Sequence, residues 1–476
     1  MDVYTRVRSR AVLHRAWGKV KSGGQCSTSE NTKRLIREFD ADWLNNLERI
    51  RHQLKQRTFT FVGERGIAPP KGKGKTGVRP LVMAPIANRV VRRAILEVLQ
   101  GYGEATDKPR RQWAGVACVQ EIMATLTSVG GIRKRGVPHG LALIDRAVRA
   151  GNHWFVRTDI QNFFTRIPKA DISAFIRGAV GDASFVALFE QALATNLENQ
   201  EELEERRLFK LFPDPIIGVA QGSALSALSG NIALREFDEK MNGRNIDCVR
   251  YIDDFILLGP SEAKVHAAYR SAQKFLRGIG MEVYDPSDAQ ARKDGKVDAG
   301  NIYNGTDVLG YRVSGTSRQP SAKAQKKFLE KLDRIASVAE REMELAAKGS
   351  SSSHVSRYYQ SMVLLHNVIW GWSQSFCHTT ATHVFEQLDK EIDKRIETLQ
   401  RHAYHLIPTG DAATRRRVMG VHLLSETLEH PLPDIKPDSL KVLGANKSAW
   451  RTTGLMGSSP LPEADAQRTA ADASAR

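Results

Sequence analysis

Val249-Arg250-Tyr251-Ile252-Asp253-Asp254-Phe255-Ile256-Leu257-Leu258-Gly259 sets two apolar, strand-forming runs on either side of two adjacent acids. β-formers flanking turn-tolerant residues predict a tight β-hairpin with the carboxylates at its tip. Neighbouring like charges on a buried hairpin repel each other and are costly to desolvate unless a cation neutralises them. A hard divalent ion with oxygen ligands, Mg²⁺ above all, suits such a tip. A solvated Asp-Asp turn capping a hairpin fits the same residues, so the rest of the chain has to decide.

The 476 residues suffice for roughly two to four domains with a sizeable core. Lys and Arg total 70 against 53 Asp and Glu, a net charge of +17. That excess points to a polyanionic partner, nucleic acid or else an acidic membrane surface. No stretch nears the run of about eighteen apolar residues that a transmembrane helix requires. Cys26, Cys118, Cys248 and Cys377 are scattered without Cys-x-x-Cys spacing. They suit a reducing compartment and read as buried small hydrophobes, and the expected location is cytoplasmic. The Arg-rich, acid-poor N-terminus faintly resembles a transit peptide, but the segment reads as a folded helix.

Apolar residues at helical spacing (Leu13, Trp17, Val20; Phe39, Trp43, Leu44, Leu47, Ile50) predict packing helices over residues 1–60, with a polar loop at 22–29. In Lys71-Gly72-Lys73-Gly74-Lys75, glycines let the backbone approach phosphates, and Lys73 and Lys75 are candidate nucleotide contacts. Arg79 can grip a triphosphate in a fixed fork, although a solvated basic turn fits too. Leu81 to Pro85 reads as a strand and Ala87 to Leu99 as a helix. Its Arg89, Arg92 and Arg93 suit either template backbone contacts or a solvated face. Val137 to Ala150 reads as a helix with no assigned chemistry.

Trp154 to Asp159 is a β-rich run ending in one acid, followed by a polar-aromatic turn through Phe163 and Phe164. Alone, Asp159 is as well explained as a helix cap or turn acid. Residues 184–210 read as one charged amphipathic helix. In Ile217 to Leu234 a glycine-containing turn leads into a helix crowded with small residues. There Gln221 can hydrogen-bond a nucleotide or template, and the small residues admit either a base pair or tight core packing.

The ordered series Arg79-Pro80, Asp159-x-x-x-Phe163-Phe164, Gln221-Gly222-Ser223-x-Leu225-Ser226, Tyr251-Ile252-Asp253-Asp254 and Val308-Leu309-Gly310-Tyr311 resembles the motif series of reverse transcriptases. The branch it is most similar to is the bacterial enzymes like group II intron-encoded, maturase-type proteins, with similarity from about residue 14 to about residue 404. Ala16-Trp17-x-x-Val20-Lys21 resembles that family's N-terminal helix. Ile369-Trp370-Gly371-Trp372-Ser373 and Phe385 to Asp389 resemble its helical thumb.

The resemblance implies an α+β right-hand polymerase of fingers, palm with a small antiparallel sheet, and helical thumb. The implied layout is an N-terminal helical extension (1–66), fingers (67–150), palm (151–320, with a fingers insertion at about 168–216), thumb (321–405), a C-terminal segment (406–444) and a disordered tail (445–476). It implies RNA-directed DNA synthesis from dNTPs. Asp159, Ile160, Asp253 and Asp254 would surround two Mg²⁺ ions, with Mn²⁺ as a substitute. Arg79, Lys73 and Lys75 would grip pyrophosphate, and Gln221 would support the nucleotide. Phe164 would exclude a ribose 2′-hydroxyl by a clash. Tyr251, Ile252, Gly222, Arg89 and the Leu309-Gly310-Tyr311 grip would contact primer or template. The implied partners are an RNA template, a DNA or RNA primer and a dedicated non-coding RNA, with no membrane.

This sequence departs from the family pattern at Ala220, Ala227 and Asn88, and it lacks the lysine-threonine signature expected after Gly280-Met281-Glu282-Val283. Lys293 and Lys296 are the alternatives for that lysine. No Cys/His-rich endonuclease module is visible near the C-terminus, which favours a free-standing enzyme, such as those associated with phage defence. An RNA-binding assembly factor with secondary polymerase activity is the alternative function. An RNA-dependent RNA polymerase is disfavoured by Phe164.

Overall fold

The central strands carry apolar side chains on both faces because both faces of their sheet are covered. In the computed structural model, which describes residues 2–70, 77–103, 112–243, 245–349, 357–408, 410–421 and 423, nine strands form three sheets. β1 (Arg65–Ile67) pairs antiparallel with β2 (Leu81–Met83). β3 (Trp154–Asp159), β4 (Asp247–Tyr251), β5 (Asp254–Gly259) and β6 (Val297–Asn301) form an antiparallel sheet of order β4-β5-β3-β6. β7 (Thr306–Val308), β8 (Tyr311–Ser314) and β9 (Ser317–Pro320) make a small three-stranded sheet.

Alternation along the central strands sends side chains to two different cores. Val156, Cys248, Phe255 and Leu257 join the large cluster with Val265, Tyr269 and Leu276 of the helix Glu262–Gly278. Phe155, Val249, Ile256 and Leu258 pack on Leu141, Ile144 and Val148 of the helix Val137–Arg149. The large cluster continues into the N-terminal helices Arg10–Gln25, Glu30–Ala41 and Trp43–Gln56 and the helix Ile86–Gln100. The N-terminal extension therefore shares one core with the sheet.

A separate core holds the helices Ala322–Ala347, Tyr358–Ser375, Thr382–Leu406 and Ala412–Met419. Tyr311 joins this bundle to the sheet region: its hydroxyl donates to the Ser375 carbonyl at 2.9 Å and its ring lies 5.0 Å from Phe376. Arg318 of β9 adds bonds to the turn that follows the helix Tyr358–Ser375: its N donates to Thr380 Oγ1 at 2.8 Å and its Nε to the His378 carbonyl at 3.2 Å.

Four local expectations are corrected. The helix Arg10–Gln25 extends into the expected loop at 22–29 and leaves only 26–29 outside helices, because Gly24 is a packing residue there; a Cβ would sit 2.5 Å from Ile36. The expected helix over 184–210 breaks into Ala183–Leu193 and Gln200–Glu205. Between them the chain pairs with Glu64, through Glu64 N to Asn196 O at 2.8 Å and Glu198 N to Glu64 O at 2.9 Å. Arg92 is neither a template contact nor solvated; it is buried, paired with Glu64, and donates to the Ala192 carbonyl at 2.8 Å. Of the cysteines only Cys248 is buried, while Cys26 and Cys377 are exposed. The loop carrying Lys73 and Lys75, Arg110 and Arg111, and the tail 445–476 lie outside the described residues.

Candidate active site

Antiparallel pairing brings the distant acids together. Tyr251 pairs with Asp254, leaving Ile252 and Asp253 as a two-residue hairpin loop. Asp254 is thus not at the tip, as expected, but the first residue of β5. There it stands directly opposite Asp159, the last residue of β3. Ile160 N donates to the Asp253 carbonyl at 2.8 Å, tying the end of β3 to the loop. The three acids occupy adjoining positions on one sheet edge.

Each flanking acid is held by a cation. Lys296 Nζ pairs with Asp159 Oδ2, and the Lys296 carbonyl accepts from Asp159 N at 3.1 Å. Arg157 Nη1 lies 3.4 Å from Asp254 Oδ1 while its Nη2 donates to the Gly295 carbonyl at 2.7 Å. Burial pushes the Asp254 carboxyl up to about 7, with Arg157 opposing and Asp159 and Asp253 adding repulsion. Burial, then the Asp159 charge, also raises Asp253. Burial alone would lower the Lys296 ammonium, but its hydrogen bond and charge contact with Asp159 hold it above its ordinary value.

Among the described residues no three His, Cys, Asp or Glu side chains are already gathered into a metal cluster. Asp159 faces Lys296 and Asp254 faces Arg157 instead. The donor set itself, carboxylates plus nearby backbone carbonyls, is hard oxygen and fits Mg²⁺ or Mn²⁺. Like charge that is only partly neutralised, and raised carboxyl pKa values, are what a divalent cation relieves.

Residues 70–285 match the family described as reverse transcriptase (RNA-dependent DNA polymerase). Over this stretch the chain is similar to reverse transcriptases. Similar curated proteins are an uncharacterized 91 kDa protein in the cob intron of Schizosaccharomyces pombe and protein YkfC of Escherichia coli. The first is 25% identical over 207 residues, 42% of this chain and 21% of that protein. The second is 25% identical over 203 residues, 42% of this chain and 46% of its own length. The chain thus spans less than half the length of either. Among solved structures, a partial Cas6-RT-Cas1–Cas2 complex aligns over 59% of this chain and 43% of its own, at 17% identity and TM-score 0.29. Apo telomerase from Candida tropicalis aligns over 76% and 63%, at 11% identity and TM-score 0.37.

The matched stretch also holds other expected residues. Arg79 is exposed at the base of the β1–β2 hairpin, where its N donates to the Pro69 carbonyl at 2.9 Å. Arg89, Gln221 and Gly222 line one cavity of about 360 Å³ between the N-terminal helix and β2. Arg89 Nε is bound to the Ala84 carbonyl at 2.7 Å, and Gly222 takes φ +100°, a conformation glycine adopts without strain. Phe164 is half-buried, and its carbonyl accepts from Val219 N at 2.7 Å, placing it next to the Gln221 segment. The small residues of the helix Ser226–Ala233 admit protein: Gly230 lies under the Phe163 ring and Ala227 meets Gly131.

Downstream of the matched residues, Leu309 and Gly310 form a turn with φ +54° and +86°, and Gly310 is exposed. The Tyr311 side chain faces the core, so its ring is not available to a primer. Between the two alternative lysines, the structure places Lys296 at the site. Sequence reading missed Arg157 and Arg250, for which a charged residue at a buried strand position is the only local signal.

Proposed function

We propose that this protein is an RNA-directed DNA polymerase that extends a primer with dNTPs. The observation that carries the reading is the register of Asp159 opposite Asp254 beside the Asp253 loop, inside the stretch similar to reverse transcriptases. Asp159, Asp253 and Asp254, with the Ile160 backbone, would hold two Mg²⁺ ions. When bound, these supply Lewis acidity to the primer 3′-hydroxyl and the α-phosphate. The chain's own residues do the rest. Arg79 and the basic loop beyond it receive the triphosphate, Gln221 and Arg89 border the nucleotide cavity, and Phe164 presents its ring to the sugar. Tyr251 and Ile252 flank the acids where a primer terminus would lie, and Leu309 and Gly310 support it from below.

In this reading residues 1–66 extend the fingers (67–150), the palm is 151–320, and 321–405 is the thumb. Exposed Lys323, Lys326, Lys327 and Lys331 give the first thumb helix a face for phosphates. The helix Tyr358–Ser375 exposes Tyr359, Val363, His366, Asn367 and Trp370, an uncharged stripe suited to reading duplex shape. Similarity to a protein in the cob intron supports the intron-encoded branch.

The test is primer extension by the full chain with Mg²⁺ or Mn²⁺, an RNA template, a DNA primer and dNTPs. DNA synthesis lost in Asp253→Asn and Asp254→Asn supports the proposal; no Asp253-dependent product in any metal defeats it. Phe164→Ala should raise rNTP incorporation by about 10-fold or more, and unchanged sugar selectivity would remove that residue from its role.

A further inference from the structure

Arg250 is wholly buried, the largest such side chain among the described residues, and its partner Asp238 is 3% exposed. Its Nε donates to Asp238 Oδ1 at 2.7 Å and its Nη2 to Asp238 Oδ2 at 2.5 Å. Nη2 also reaches Asn231 Oδ1 at 3.1 Å, and Asn231 Nδ2 donates to the Gly130 carbonyl at 3.0 Å. An apolar pair of similar volume would stabilise a core as well as this ion pair, because desolvation cancels much of the attraction. One further bond has no part in neutralising charge: Nη1 donates to the Ile252 carbonyl at 2.8 Å.

Ile252 is the residue that needs holding. It has φ +61°, a conformation that a β-branched side chain resists. It lies between Tyr251 and Asp253, so its relaxation would swing the Asp253 carboxylate. Gly130 closes the loop from the other side: a Cβ there would come 2.6 Å from Ile252 N. Val129 N to Arg250 O and Arg250 N to Thr127 O, both 2.9 Å, lock that segment against β4.

We propose that Arg250 is a positioning residue: held by Asp238 and Asn231, it clamps the strained Ile252 carbonyl and thereby fixes Asp253 for metal binding. This rests on the polymerase reading for its consequence in catalysis, but not for its consequence in metal affinity. The experiment compares the full-length wild type with Arg250→Met/Asp238→Leu, which removes both buried charges, and with Arg250→Lys, which keeps the charge but not the forked geometry. Melting temperature, Mn²⁺ affinity by electron paramagnetic resonance, and kcat for primer extension are measured on each.

The expected result is at least one variant that melts close to the wild type yet binds Mn²⁺ about 10- to 100-fold more weakly, with kcat falling alongside. If no variant that melts like the wild type binds Mn²⁺ more weakly than it, the proposal is overturned. Failure of both variants to fold would overturn it too, since the pair would then serve the fold at large. If wild-type protein binds Mn²⁺ through Asp253 but makes no DNA, the polymerase reading fails while the affinity comparison still judges Arg250.

Discussion

Beneath the hairpin, Arg250 makes a forked pair with Asp238, with neither side chain reaching water. Beside it, Lys296 reaches Asp159 with a single ammonium, and its side chain is 37% exposed. The first cation has a rigid geometry with several acceptors; the second is a point charge on a flexible stem. The first arrangement is suited to holding a backbone in place. The second neutralises an acid while leaving it able to exchange partners. Under the proposed polymerase reading, a site that grips ions and then releases product needs both: a fixed floor and a replaceable counter-charge.

The largest effect should come from the acid that the floor supports. Asp253→Asn is expected to lower primer extension by more than about 100-fold without lowering the melting temperature, measured by gel assay and thermal melt. Next, Arg250→Met strands a buried carboxylate and should reduce unfolding free energy by about 3–5 kcal/mol in urea titration. A loss under about 1 kcal/mol would mean the floor is not rigid.

The pH response comes third. Folded Asp254, raised to about 7 from an ordinary 3.8, keeps a proton that the unfolded chain has already released. The metal-free protein therefore loses stability as pH rises between those values. Asp254→Asn should flatten that slope and raise stability near neutrality by about 1–3 kcal/mol. A profile identical to wild type would place the titration elsewhere. Smallest is Lys296→Met, expected to change stability by less than about 1 kcal/mol because its ion pair is partly solvated. A loss as large as that of Arg250→Met would erase the contrast between floor and mouth.

The hairpin was legible because its information is local: apolar β-formers on both sides of Ile252-Asp253 leave few other conformations. The thumb helices were legible for the same reason, from long amphipathic periods. Gly23-Gly24 was misread as a loop because glycine marks both turns and close packing, and only Ile36 on the next helix distinguishes them. Arg92 was misread because an arginine on a helix face looks solvated until Glu64, from another segment, is brought to it. Tyr311 stands in an expected grip motif, yet its ring faces the core, since a strand pattern does not say which face a later helix will cover.

Taken alone, the order of residues determined which local pieces form: the acid-bearing hairpin, the strand ending in Asp159, the helices and the basic character of the chain. These follow from short-range sterics, hydrophobic period and charge count. Tertiary structure alone decided which acid faces which, that Lys296 rather than Lys293 reaches Asp159, and that Arg250 lies under the loop rather than on its surface. Those outcomes depend on register and on contacts between residues far apart in the chain, which no local pattern encodes.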